Sequence, residues 1–224
     1  MVAGAVLLWS ASAQANDRPT SGDMSVLSGR TLGNGETVLA AGLGWPAFWG
    51  EIVLAPSSTF NLGIRGSVLI GSPVMGLGSG VGGSASLPAR IWLFGKETLD
   101  VALAIEPGFA AGEGALAGQE GTFADDFGWA GWADVGALLG MQVSEAVTLT
   151  LGLLGEIAYV SVPDDEVNGS HLVGGGVAVL GVEALMSRDT MLFAELRGGW
   201  GFAPEDLFDG HQVLRVSLGI AYLL

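Results

Sequence analysis

From His211 to Leu224 the chain alternates. After Gln212 the even positions are Leu214, Val216, Leu218, Ile220, Tyr222 and Leu224, while the odd positions run His211, Val213, Arg215, Ser217, Gly219, Ala221 and Leu223, mostly small or polar. A period of two is that of an extended strand, whose successive side chains point to opposite faces. The period recurs upstream. Over 98–109 the apolar set is Leu99, Val101, Leu103, Ile105, Pro107 and Phe109, set against Thr98, Asp100, Ala102, Ala104, Glu106 and Gly108. Over 147–160, Leu149, Leu151, Leu153, Ile157 and Tyr159 oppose Thr148, Thr150, Gly152 and Glu156. Over 60–71, Phe60, Leu62, Ile64, Val68 and Ile70 oppose Asn61, Arg65 and Ser67. The pattern predicts ten strands: 36–45, 48–55, 60–71, 81–94, 98–111, 127–143, 147–160, 171–186, 190–202 and 211–224. Strand 171–186 is the exception. It is apolar on both faces around Val177 to Leu180, the weakest of the ten, with a buried segment of another kind as the alternative.

Connections alternate in length. Pro56-Ser57-Ser58-Thr59, Gly95-Lys96-Glu97, Ser144-Glu145-Ala146 and Ser187-Arg188-Asp189 are tight turns. Between them come longer polar loops, 72–80, 112–126, 161–170 and 203–210, with a short first connection at Pro46-Ala47. Short turns on one side and long loops on the other are the habit of bacterial outer-membrane barrels, as is an even strand number.

Composition narrows the fold class. The 224 residues are half hydrophobic and only 14% charged, with 38 glycines and a mean hydropathy of +0.52. A membrane helix needs about 20 apolar residues. The long uncharged span 66–89 has the wrong composition for one, being broken by Pro73, Pro88 and a series of glycines. High hydropathy without helices leaves a closed barrel as the other way to satisfy backbone groups in lipid. The expectation is an all-β, closed antiparallel up-and-down transmembrane β-barrel of about ten strands, with eight or twelve as the neighbouring options. It occupies 36–224. Residues 1–15 read as a signal peptide, with an apolar core over 3–9 and a small-x-small site at Ala13-Gln14-Ala15. Residues 16–35 read as a flexible periplasmic leader. The chain has no cysteine, which removes disulfides and thiol chemistry.

Charge then changes the picture. With faces assigned by alternation, the strand acids Glu36, Glu51, Asp100, Glu106, Asp134, Glu156, Glu183 and Glu195 fall inward, as do Arg65, Arg90, Arg197 and Arg215. That suits lipid outside, where a mid-membrane Arg or Lys costs about 2–4 kcal/mol. These twelve residues are the expected lumen charge network, a salt-bridged filling for a narrow bore or a narrow cation-favouring pore. Glu113, Glu120, Asp125, Asp126, Asp164, Asp165, Glu166, Glu205, Asp206 and Asp209 make the long loops acidic, a rim that divalent cations could bridge to lipopolysaccharide. The net charge of −15 disfavours a nucleic-acid partner, and none is expected. Trp45, Phe109, Phe127, Trp129, Tyr159, Trp200 and Phe202 form the expected aromatic girdle near the loop ends.

Catalytic signals are sparse. Gly78-Ser79-Gly80-Val81-Gly82-Gly83 matches a dinucleotide pattern but leads into no helix. His171 and His211 fall at the loop ends of their strands, with Ser170 and Asp209 nearby. A histidine beside an acid can act as general base, so these four are the candidates for a rim-sited hydrolase or acyltransferase acting on lipid A or peptides. Two histidines forty residues apart make a poor zinc site without a third firm ligand, and neither metal nor cofactor is expected.

Ser217, Gly219, Tyr222 and Leu224 resemble the C-terminal assembly signal of outer-membrane barrels, polar-x-Gly-x-x-aromatic-x-hydrophobic, with Leu where the family usually has Phe. The architecture over 36–224 likewise resembles the small outer-membrane β-barrel proteins of Gram-negative bacteria. The resemblance implies an outer-membrane location with both termini periplasmic. It also implies outer-membrane lipid, lipopolysaccharide and the barrel-assembly machinery as partners, and a structural, surface-interaction or porin-like role without catalysis. A soluble lipocalin-like ligand carrier is the alternative from another class.

Overall fold

The fold is that of a computed structural model, which describes residues 24–71, 79–96, 98–113, 127–162, 169–202 and 211–224. Eleven strand segments follow in order: β1 (Thr37–Trp45), β2 (Ala47–Ser57), β3 (Phe60–Gly71), β4 (Ser79–Ser86), β5 (Ala89–Lys96), β6 (Leu99–Glu113), β7 (Phe127–Ser144), β8 (Val147–Val162), β9 (Gly169–Leu185), β10 (Thr190–Phe202) and β11 (His211–Leu223). Every pairing is antiparallel, and β1 pairs with both β2 and β11, from Val38↔Leu223 to Trp45↔Val216, so the sheet closes.

The predicted strand 81–94 is broken into β4 and β5. The two keep one register along both neighbours: Arg65↔Ser86 and Leu62↔Ala89 on β3, Ser86↔Gly108 and Ala89↔Ile105 on β6. Pro88 has no N–H for the ladder and interrupts it, while the Leu87 N–H still donates to Pro107 at 2.9 Å. β4 and β5 are therefore one stave, and the molecule is an all-β, closed, ten-stranded antiparallel barrel.

Alternation sets the faces. Leu153, Leu218 and Tyr222 are 69%, 55% and 50% exposed on the outside, whereas Asp100, Asp134 and Glu183 are buried inside. β9 is a stave like the others. It is apolar on both faces because Val177 and Val179 pack inward against Leu138, Leu154 and Val213, while Leu180 lies exposed outside.

Inward glycines make room for cross-strand aromatics. Register pairs Gly42 with Trp49, Phe193 with Gly219, and Gly108 with Trp132. A Cβ at Gly42 would sit 2.6 Å from the Trp49 ring, and one at Gly219 or Gly108 would collide with Phe193 or Trp132. Each ring occupies the space that a side chain at its glycine would take, a device that covers otherwise bare backbone.

The leader expected to be flexible is corrected over its described part. Residues 24–35 fold back into the barrel at the end of the tight turns, without regular secondary structure. Met24, Leu27 and Leu32 join Val38, Ala40, Val53, Ala55, Met191, Phe193 and Ala221 in an apolar cluster. Gly29 presses so closely on β6 and β7 that a Cβ there would meet the carbonyls of Asp100 and Leu138 at 2.5 and 2.7 Å. Gly35, at φ +83°, turns the chain into β1 in a conformation that favours glycine. Alternation could not reveal this segment, because it forms no strand and its partners are on the barrel wall. The signal peptide read over 1–15, and the leader as far as residue 23, lie outside the described residues.

Candidate functional site

Two tiers of polar side chains cross the bore. At mid-height Arg65 donates to Glu51 from Nε at 2.9 Å and from Nη2 at 2.7 Å, and to Glu106 from Nη1 at 3.1 Å. Ser86 donates to the same Glu106 oxygen at 2.8 Å. Arg197 pairs with Glu195 at 2.8 Å and lies 3.6 Å from Glu106 and 3.7 Å from Asp134. Arg215 reaches Asp134 at 3.3 Å and also pairs with Glu156. Three guanidiniums thus serve five carboxylates as one connected layer. The fork of a guanidinium suits such sharing, because its five N–H groups can address more than one acid at a time. Trp49 caps the layer: its ring lies 4.6 Å from the Arg65 guanidinium and its indole N–H donates to Ser217 at 3.0 Å.

The second tier, nearer the tight turns, holds the N-terminal segment. Glu183 accepts from the N–H groups of Val26 (2.7 Å) and Leu27 (2.8 Å) and from the Ser25 hydroxyl (2.9 Å). Arg90 donates to the carbonyls of Ser25 (2.7 Å), Ser28 (2.9 Å) and Arg30 (3.3 Å). Asp100 accepts from Arg30 at 2.8 Å and from the Trp92 indole at 3.0 Å. Asn61 accepts from the Leu32 N–H at 3.2 Å, and Thr31 donates to the Ser58 carbonyl at 2.6 Å.

Eleven of the twelve expected lumen charges therefore lie in one tier or the other. Glu36 does not. It sits just before β1 at the barrel mouth and accepts from the Gly33 N–H at 2.7 Å. The sequence reading missed Ser25, Ser28 and Arg30, which lay in the supposed leader, and it missed Trp49 and Asn61 as polar partners. One signal was present: eight inward acids against four bases called for donors from elsewhere. Arg30, the Ser25 hydroxyl and the N–H groups of Val26 and Leu27 supply some of them.

On the loop side of the mid-height layer lies a cavity of about 90 Å³, lined by Trp49, Trp132, Ser84, Arg197 and Arg215 among others. It is smaller than the ~150 Å³ that accommodates benzene. Both tiers and this cavity are within the bore, so the geometry is that of a filled barrel.

The side chains of His171, His211 and Ser170, and the whole of Asp209, lie outside the described residues. The backbone register is described. It places His211 level with Gly201, and Gly201 level with Gly175, so His171 is two strands away and four residues farther toward the loops. At strand spacings that is roughly 16 Å between backbones.

Of the expected girdle, Phe109, Phe127, Trp129, Tyr159 and Trp200 are exposed on the outer face. Phe109 stacks on Trp129 at 6.0 Å between ring centroids, and Trp129 meets Tyr159 at 5.7 Å, a continuous aromatic strip across β6, β7 and β8. Trp45 is half-buried, with its indole nitrogen shielded. The Phe202 side chain lies outside the described residues. In the C-terminal motif, Ser217 and Gly219 have internal neighbours, the Trp49 indole and the Phe193 ring, while Tyr222 and Leu224 are exposed.

No family model matches the chain, and no curated protein does. Among solved structures, it is similar to the outer membrane protease OmpT of Escherichia coli (9% identity, TM-score 0.43), covering 91% of this chain and all of that one. It is also similar to Ail, the attachment invasion locus protein of Yersinia pestis (13% identity, TM-score 0.40), covering 85% of this chain and 99% of that one.

Proposed function

We propose that the protein is a Gram-negative outer-membrane barrel closed to permeation, with a structural or surface-interaction role carried by its acidic loops. Its short turns and both chain ends face the periplasm. One observation carries the reading: residues 24–35 occupy the bore from the turn end, and the Arg–carboxylate layer crosses it at mid-height. The membrane part rests on the outer face, where Leu39, Ile52, Ile64, Leu151, Leu180 and Leu218 are exposed around the ring. Soluble proteins rarely expose contiguous apolar patches beyond a few hundred Å². A ligand-carrying soluble barrel would also keep its interior for the ligand, and here the interior holds the chain itself.

Conductance across planar bilayers tests the closure. The full chain should give no channel steps, and reproducible cation-selective steps would overturn it. Membrane-pellet fractionation with heat-modifiable gel mobility tests the location. The protein should follow the outer membrane, and recovery in the soluble fraction would remove the membrane reading.

A further inference from the structure

Between the N-terminal segment and the mid-height layer lies a cavity of about 50 Å³, bounded by Val26 and Leu27 on one side and by Arg65 and Arg197 on the other. Asn61 and Asp134 also line it. Both are almost fully buried, at 1% and 3% exposure. Each carries one polar atom without a hydrogen-bond partner among the described residues, Asn61 Nδ2 and Asp134 Oδ1. The bond from the Leu32 N–H fixes the amide with Oδ1 toward the segment, which leaves the NH₂ group to seek an acceptor. The carboxylate oxygen seeks a donor.

An occupant has to accept at one point and donate at the other. A metal ion leaves the Asn61 amide unmet, and it faces Arg65, Arg90 and Arg197 as well as the carboxylates of the lining. An anion leaves Asp134 unmet, and four carboxylates against three guanidiniums in the lining give it no net attraction. Water does both. We propose that this cavity is an internal water site, anchored on Asn61 Nδ2 and Asp134 Oδ1, through which the N-terminal segment meets the ion-pair layer. Its 50 Å³ exceeds the ~10–15 Å³ that one water needs. The segment is then fastened to the barrel wall by Glu183, Arg90, Asp100 and Asn61, and water separates it from most of the layer above. The proposal stands on the lumen's geometry and holds whether or not the barrel conducts.

The test is a high-resolution crystal structure of the full chain, with rubidium and bromide soaks read by anomalous scattering. Density within hydrogen-bond distance of both atoms and free of anomalous signal is the expected result. In Asn61→Leu the peak beside position 61 should vanish while the Arg65–Glu51 and Arg215–Glu156 pairs persist. An anomalous peak in the cavity would overturn the proposal, as would collapse of Val26 and Leu27 into it. So would an Asp134 Oδ1 bonded to its register partner Glu156 through a shared proton. The unsubstituted chain decides each of these, so a variant that fails to fold leaves the test intact.

Discussion

At mid-height the lumen's carboxylates face guanidiniums; near the turns they face backbone as well. Glu51, Glu106, Asp134, Glu156 and Glu195 are met by Arg65, Arg197 and Arg215, side chain to side chain and from stave to stave. Lower down, Glu183 is held by the N–H groups of Val26 and Leu27, and Arg90 by the carbonyls of the same segment. The upper tier therefore belongs to the barrel alone. Once the strands close in register, its ion pairs follow. The lower tier exists only if a segment outside the sheet docks into it. The same inward charges thus lock the barrel in one place and fasten the N-terminal segment in the other.

Substitutions should separate the two. The largest effect is expected from Arg215→Leu, which leaves Glu156 without its guanidinium and Asp134 with only the longer contact to Arg197. Breaking a buried pair from one side costs about 3–5 kcal/mol, read as a lower urea midpoint for unfolding of the reconstituted barrel. Protection of residues 24–35 from protease should not change below that midpoint. Glu183→Leu comes next. It strands the buried N–H of Leu27, a cost of about 1–3 kcal/mol, and the half-buried N–H of Val26, and the loss falls on the docked segment. Proteolysis within 24–35 should rise while the barrel keeps its heat-modifiable mobility. If global unfolding accompanied it, the tiers would be one unit and the comparison would fail. Gly219→Val should follow at about 1–3 kcal/mol, because its Cβ runs into the Phe193 ring. Gly219→Ala still places a Cβ against the ring but adds less bulk, and should cost less.

How much of this was legible in the sequence follows from the same contrast. The staves and their inward charges could be read because alternation is a local property: Asp100, Glu156 and Arg215 each declare their face through their own neighbours. Which acid meets which base could not, since Arg215 lies on β11 and its partners on β7 and β8, brought together across the bore. The segment over 24–35 escaped altogether. Its polar and glycine-rich composition is that of a linker, and only the pocket formed by Val38, Val53, Met191 and Phe193 gives Met24, Leu27 and Leu32 a place to be buried. Of the rim candidates, the sequence left open whether His171 and His211 come together. The register separates their backbones by two strands and four residues, a stagger that comes from barrel shear and is invisible in one chain's spacing.

The smallest expected effect probes the seam between the tiers. Trp49 belongs to both: its ring covers Arg65 in the upper tier and stacks on Phe193, at 5.6 Å, in the cluster that receives the N-terminal segment. Ser217 fixes that ring by accepting its indole N–H. Ser217→Ala should lower stability by about 0.5–1.5 kcal/mol, the net worth of one hydrogen bond, with in vitro refolding rates little changed. A loss of assembly in cells far beyond that would mean the hydroxyl is read during insertion, as the C-terminal resemblance implies. The double variant Ser217→Ala, Glu183→Leu sharpens the matter. Independent sites add to within about 0.5 kcal/mol. Additive costs would mean the tiers are mechanically separate, with water rather than Trp49 between them. A clear excess or deficit would show that the indole couples the docked segment to the ion-pair layer.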